Sequence, residues 1–309
     1  MQDDARLRQG ETPMNSALAG HQRTRFAPYA FISPFYILFF GFFLGPTLYA
    51  IYLSFHRWTS VGIPEYMGLR NYDRLLGDRI FIQAIENTFL YSAASLFIVC
   101  PLALLLAMAL NSKHLWFKSF WRAVYFAPIV TSTVAISLTF LTLYNREFGL
   151  LNALLSVFGV QQIDWLGDRG IVRYAIIGVI IWRWTGLTSI YFLAGLQTIS
   201  QDLYEAAAID GANAWQRFWN VTIPQLRPVI LFVSVIVTIG SLQIFDEPQI
   251  LTGGGPANAS ISVVQYLYSR GIANLRYGYA SAIGTVLFVM IFVLSLVQLQ
   301  FLRSRDETR

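Results

Sequence analysis

Apolar positions in this chain come in long unbroken runs separated by polar stretches, with no period-two alternation inside the runs. A helix needs about 20 such residues to cross a bilayer core. Six stretches reach that length: 29–55, 89–110, 120–143, 174–196, 228–251 and 279–302. Lipid gives backbone groups no partner, so a spanning segment is a helix unless a barrel closes, and these runs are too long and too evenly apolar for barrel strands. The pattern predicts an all-α membrane protein with six transmembrane helices in one domain, 27–303, between polar tails at 1–26 and 304–309. Pro34, Gly41, Gly45 and Pro46 predict kinks in the first run. The first tail, with Arg6, Arg8, Arg23 and Arg25, lacks the layout of a cleaved signal peptide and reads as a largely disordered cytoplasmic segment.

Between the fourth and fifth runs lies a polar stretch that is organised rather than random, QDLYEAAAIDGANAWQRFWNVTIPQLRP at 201–228. Ser200 can cap a helix, Asp202 suits the positive end of its dipole, and Glu205, Ala206, Ala207 and Ala208 are strong helix formers. Gly211 can take positive φ and stop that helix. Asn213 followed three residues later by Gln216 is a second capping signature, for a short helix expected to end before Pro224. The segment predicts helix, glycine elbow, helix. Other polar loops predict short surface helices in NYDRLLGDRIF (71–81) and NALLSVFGV (152–160), and a tight irregular turn at LTGGGP (251–256).

Composition agrees with a membrane protein: 55% hydrophobic and 13% charged residues, against about 25% charged in soluble chains. The net charge of +5 is spread over all the loops without a basic run interleaved with aromatics, so nucleic acid is a poor partner. With both termini inside, basic residues favour the inner loops only twelve to nine, though the short loop 111–119 carries Lys113 and Lys118 and no acid. Cys100 is the only cysteine, so no intrachain disulfide forms and no cysteine-based metal site can assemble.

The polar stretch also carries a resemblance. Glu205-Ala206-Ala207, then Gly211, then Ile223-Pro224, resembles the EAA loop of permease subunits in binding-protein-dependent ABC importers. LAGLQTIS (193–200), IDGA (209–212), FDEPQILTGGGP (245–256), YMGLRNYDRLL (66–76), FWRAVYFAP (120–128) and REFGLLN (146–152) are similar to its carbohydrate-uptake branch, over roughly residues 30–303. Ser200 departs from it, since many relatives carry proline there.

The resemblance implies the type I importer permease fold in the bacterial or archaeal cytoplasmic membrane, with a cytoplasmic EAA loop (200–228) and both termini inside. It implies that Glu205, Ala206, Ala207, Ala208, Asp210, Gly211, Ile223 and Pro224 form a coupling helix seated on an ATPase subunit. It also implies as partners a second homologous permease, two copies of that ATPase, which bind ATP and Mg, and an extracytoplasmic substrate-binding protein. Cargo would be a sugar or related polyol, and Gly253, Gly254, Gly255 and Pro256 an outer gate or receptor loop.

The residues themselves exclude enzyme chemistry of familiar kinds. His21, His56 and His114 are far apart, no HExxH occurs, and neither Lys113 nor Lys118 follows a glycine as a phosphate-binding loop requires. No cofactor or metal is expected in this chain. Ionisable residues inside spans are functional candidates. Arg183 falls near the middle of the fourth run, and Gln243, Asp246 and Glu247 near the outer end of the fifth. Two readings are open: a polar translocation path, or an interhelical pair of Arg183 with Asp246 or Glu247. The Thr131–Ser132–Thr133 cluster suits hydrogen bonds to its own helix backbone. A self-sufficient secondary transporter or channel is the alternative, and it calls for more ion-coupling residues and inverted repeats.

Overall fold

The computed structural model describes residues 28–59, 61–112 and 114–303; both expected tails and Lys113 lie outside them. Contacts divide the chain after Tyr52. The described residues of the first unit belong to one helix, α1 (Pro28–Ser54), whose last two residues fall in the second. Phe35, Phe39 and Phe43 stack along it at i, i+4 spacing, with ring centroids 6.0 and 5.3 Å apart.

The second unit opens with a two-residue antiparallel pair, β1 (His56–Arg57) and β2 (Glu65–Tyr66). Then come α2 (Arg70–Leu76), α3 (Arg79–Asn111), α4 (Lys118–Val130), α5 (Thr133–Leu143), α6 (Leu150–Val157), α7 (Val172–Thr198) and α8 (Gln201–Ile209). They are followed by α9 (214–242), α10 (Asp246–Thr252), α11 (Val263–Tyr268) and α12 (Tyr277–Arg303). Among the described residues, five helical segments, counting 214–252 as one, are long and apolar enough to cross a bilayer, or six if α4 and α5 count as one span.

Three expected boundaries are corrected. The second span starts at Arg79 instead of Phe89, because Asp78 caps it by accepting from the Ile80 and Phe81 N–H groups. The surface helix expected at 71–81 is therefore divided: α2 ends at Leu76, and Arg79-Ile80-Phe81 opens α3. The third span is no single rod, since α4 and α5 meet at 101°. Thr131 and Ser132 adopt extended ψ of 138° and 133°. The Thr131 hydroxyl donates to the Ala127 carbonyl at 2.8 Å, one turn back in its own helix.

The fifth span begins far earlier than expected. The short helix after the elbow does not end before Pro224; it runs through a wide π-helical turn, Phe218–Thr222, straight into Ile223–Leu242. Proline lacks an N–H and its ring collides with the carbonyl four residues back, and a wide turn moves that carbonyl aside. The same device recurs at Phe39–Leu44 before Pro46 and at Ser95–Val99 before Pro101. The helix breaks instead at Gln243–Phe245 and restarts as α10.

Lipid tails are as apolar as leucine, so close packing and interhelical hydrogen bonds, rather than hydrophobic transfer, hold such helices together. α7 is the centre of the second unit and packs against α3, α4 and α9. Its Ile176, Val179 and Ile180 meet Tyr91 and Val99 of α3, while its Phe192 and Leu196 meet Ala103 and Ala107 of α3 and Leu226 and Val233 of α9. Small residues set the approach: a Cβ on Gly186 would lie 1.9 Å from the Tyr125 carbonyl oxygen of α4. A third patch joins Phe81 and Ala84 of α3 to Leu242, Tyr266, Ile283 and Leu287.

Candidate functional site

The elbow after α7 is built as its sequence predicts. Ser200 accepts the Asp202 N–H at 3.2 Å and starts α8. Gly211 stands at φ +79°, and around it the Ala212 N–H reaches the Ala207 carbonyl at 2.9 Å and the Gly211 N–H the Ala208 carbonyl at 3.1 Å. This is the Schellman closure, which satisfies the last carbonyls of a helix. Asn213 and Gln216 then cap each other's backbone at 2.9 and 2.8 Å and open α9.

The elbow is tied to the bundle by the Tyr204 hydroxyl on Thr222 Oγ1 at 3.0 Å, and by Phe218, which packs on the α3–α7–α9 core. Glu205, Ala206, Ala208, Asp210 and Gly211 are exposed; Ala207, Ile223 and Pro224 are half-buried. α8 has no buried residue, and Ile209 and Trp215, one either side of the elbow, are 87% and 69% exposed. Large apolar side chains beside a capped, rigid turn make a contact surface.

At the other end of α9, the breaks in two helices converge on Arg183. That residue lies eleven positions into α7, about 16 Å along its axis. Arg183 Nη1 donates to Glu247 Oε1 at 2.7 Å, and Nη2 donates to Thr133 Oγ1, the first residue of α5, at 2.5 Å. Trp184 Nε1 donates to the same Glu247 oxygen at 3.1 Å, and the guanidinium carbon sits 4.9 Å from the Trp184 ring centroid. The pair is buried, with side chains 15% and 3% exposed. Of the two acids left open by the sequence, Glu247 is the partner; Asp246 and Gln243 are exposed.

Both of those residues line a cleft of about 500 Å3 that also takes in Ser95 of α3, Trp184, Thr188 and Tyr191 of α7, and Ile236 and Gly240 of α9. The two sequence readings thus divide between residues. Arg183 with Glu247 is an interhelical pair, and Asp246 with Gln243 faces open space. Thr131 bonds its own helix as expected, whereas Thr133 does not.

The LTGGGP turn is tight, with Gly253 and Gly254 at φ +59° and +87°, but most of it is pinned rather than free. Thr252 Oγ1 and Ser260 Oγ lie 2.7 Å apart, and α3 reaches in with Asn87 Nδ2 on the Ile261 carbonyl and the Tyr91 hydroxyl on the Ser260 carbonyl, both at 3.0 Å. Gly254 is buried, Gly255 and Pro256 half-buried, and only Gly253, Ala257 and Asn258 stand exposed. The sequence reasoning missed these staples. Asn87 falls just before the apolar run that starts at Phe89 and Tyr91 inside it, and nothing local marks either as a partner of residues 260 and 261.

Asp78 makes a further knot by accepting from the Tyr266 hydroxyl and, at 2.7 Å, from the Tyr279 hydroxyl. Burial pushes its carboxyl up, but the two phenols and the Phe81 and Ile80 N–H groups outweigh it and leave it below the ordinary 3.8. A lowered carboxyl stabilises above its unfolded value and loses that contribution as pH falls through the folded one. Asp78→Ala is expected to cost about 1–2 kcal/mol, the worth of a lost cap. In detergent thermal unfolding, its deficit against wild type should be full at pH 7 and shrink below pH 4. An equal deficit at pH 7 and pH 3 would contradict this.

Comparison with known proteins agrees with this architecture. The family described as binding-protein-dependent transport system inner membrane component matches residues 75–305. The arabinooligosaccharides transport system permease protein AraP of Bacillus subtilis is 37% identical over 276 residues, covering 89% of this chain and 88% of that protein. The lactose transport system permease protein LacF of Rhizobium radiobacter is 37% identical over 280 residues, 89% and 93% of the two chains. A chain in the crystal structure of a bacterial ABC transporter that imports the acidic polysaccharide alginate superposes with a TM-score of 0.79 at 27% identity, covering 93% of this chain and 99% of that one. The chain belongs to the binding-protein-dependent inner-membrane transport family and is a membrane-spanning permease subunit of an ABC importer, not itself an enzyme.

Proposed function

We propose that this chain forms half of the membrane path of an ATP-driven importer for a sugar or related polyol, and that segment 200–228 is its coupling element. The other half is a second homologous permease. Two copies of an ABC ATPase subunit bind ATP and Mg beneath, and an extracytoplasmic binding protein delivers cargo. Both termini and the elbow face the cytoplasm. Relatives named for arabinooligosaccharides and lactose support a carbohydrate cargo.

One observation carries the coupling role: α9 runs unbroken from the elbow to the cleft. Its 29 residues, 214–242, measure about 43 Å at helical rise. The elbow sits at one end, and Ile236, Gly240 and Ser241 line the cleft at the other. A force applied to the exposed Glu205–Gly211 surface therefore has a stiff rod to travel along. Closing of the ATPases on ATP displaces the elbows, α9 tilts, and the cleft opens outward to receive cargo; hydrolysis reverses the motion.

Gly211→Val tests this. A β-branched residue at φ +79° costs about 1–2 kcal/mol of backbone strain, enough to weaken a docking surface that depends on the elbow by about tenfold. The variant is expected to reach the membrane but to lose most of the ATPase subunit on affinity purification. Stoichiometric co-purification of that subunit would remove the elbow from the coupling role.

A further inference from the structure

We propose that Asp246 makes the cleft selective by charge, so that the cargo is an uncharged sugar and anionic sugars are turned away. The proposal rests on the cleft being the translocation path. Arg183, Asp246 and Glu247 are the charged residues among those lining it. Arg183 is already paired: Nη1 donates to Glu247 at 2.7 Å, Nη2 donates to Thr133, and its face lies over Trp184. With Glu247 at 3% side-chain exposure, that pair is buried and self-neutralised. Asp246, next in sequence but exposed, is left as the unbalanced charge, and the cleft is negative by one.

The chemistry facing cargo follows from that sum. A carboxylate accepts hydrogen bonds from sugar hydroxyls, the Gln243 amide both donates and accepts, and Trp184 and Tyr191 offer flat apolar faces to pyranose or furanose rings. None of this discriminates against a neutral glycan. A uronate entering within several ångström of Asp246 meets a like charge in a space partly walled from water, which disfavours it by about tenfold. The structurally similar transporter noted above imports an acidic polysaccharide. This chain shares its fold, and among its described cleft-lining residues the one cation, Arg183, is paired with Glu247.

The local field can be read without knowing the cargo. In the complete transporter in nanodiscs, with Cys100→Ser as background, Ile236→Cys places one thiol of this chain at the cleft wall, where Ile236 is 41% exposed. Its modification by a cationic trimethylammonium methanethiosulfonate and by an anionic sulfonate methanethiosulfonate is followed by the mass of this chain. Rates are normalised to the same reagents acting on a small thiol in water.

The expected ratio favours the cation by about tenfold, from one unbalanced carboxylate lining the same cleft. It should fall to near parity in Asp246→Asn and invert in Asp246→Lys. A ratio near one with Asp246 present, or a ratio unchanged in Asp246→Asn, would overturn the proposal. So would failure of both reagents to react with and without ATP and vanadate, which would mean that no water-filled path reaches Asp246. Labelling needs no transport, so a failure of the importer reading and a failure of the charge proposal are seen separately.

Discussion

Glu205→Lys is expected to abolish uptake while ATP hydrolysis by the assembled complex continues. The fold gives this residue nothing to hold up. It is exposed on α8, a helix without a buried residue, and the elbow is closed by Ser200, Gly211, Asn213 and Gln216 rather than by Glu205. Insertion and thermal stability should therefore match wild type. On the docking proposed for α8, the carboxylate meets a base of the ATPase cleft, and lysine replaces attraction with repulsion. The other elbow contacts, Ile209 and Trp215 among them, keep the subunits together, so the loss falls on coupled transport rather than on assembly. The measurement is paired: cargo uptake and phosphate release from the same proteoliposomes. Wild-type uptake in this variant would sink the docking role, and parallel loss of both activities would point to failed assembly rather than uncoupling.

The elbow was legible in the sequence because its determinants are local. A capping serine, a glycine at positive φ and an asparagine–glutamine box each act within four residues, so spacing alone places them. The spans were legible for the same reason, since bilayer thickness is written as run length. What the sequence concealed depends on more distant geometry. Pro224 reads as a helix terminator, but the wide turn at Phe218–Thr222 absorbs it, and so the elbow and the fifth span are one rod. The third run reads as one span, yet it breaks at Thr131–Ser132, where both residues turn to extended ψ. Asp246 and Glu247 looked equivalent because sequence proximity hides direction: neighbours on a helix point about 100° apart. Only one of them can face α7. The asparagine staples at Asn71, Asn87 and Asn152 were invisible because each bonds to a backbone carbonyl outside its own helix: Asn71 to Ser54, Asn87 to Ile261 and Asn152 to Ile163.

Glu247→Ala separates the remaining roles of the polar knot. Removing the carboxylate leaves the Arg183 guanidinium at 15% side-chain exposure with Thr133 as its one polar side-chain partner. Stranding a buried charge in this way costs about 3–5 kcal/mol, seen as a large fall in the apparent Tm of the purified complex. The double variant Arg183→Met with Glu247→Leu should recover most of that loss, because apolar residues of similar volume replace a buried ion pair at little or no cost in stability. Its transport then decides the function of the pair. If Arg183 and Glu247 only brace α7 against α10, uptake returns along with stability. If the pair must open and re-form as α9 moves, the repacked helices are locked together by an apolar contact that has no charged alternative. Stability then returns while uptake does not. A double variant as unstable as Glu247→Ala would show that the cost came from lost packing around α10 rather than from an uncompensated charge.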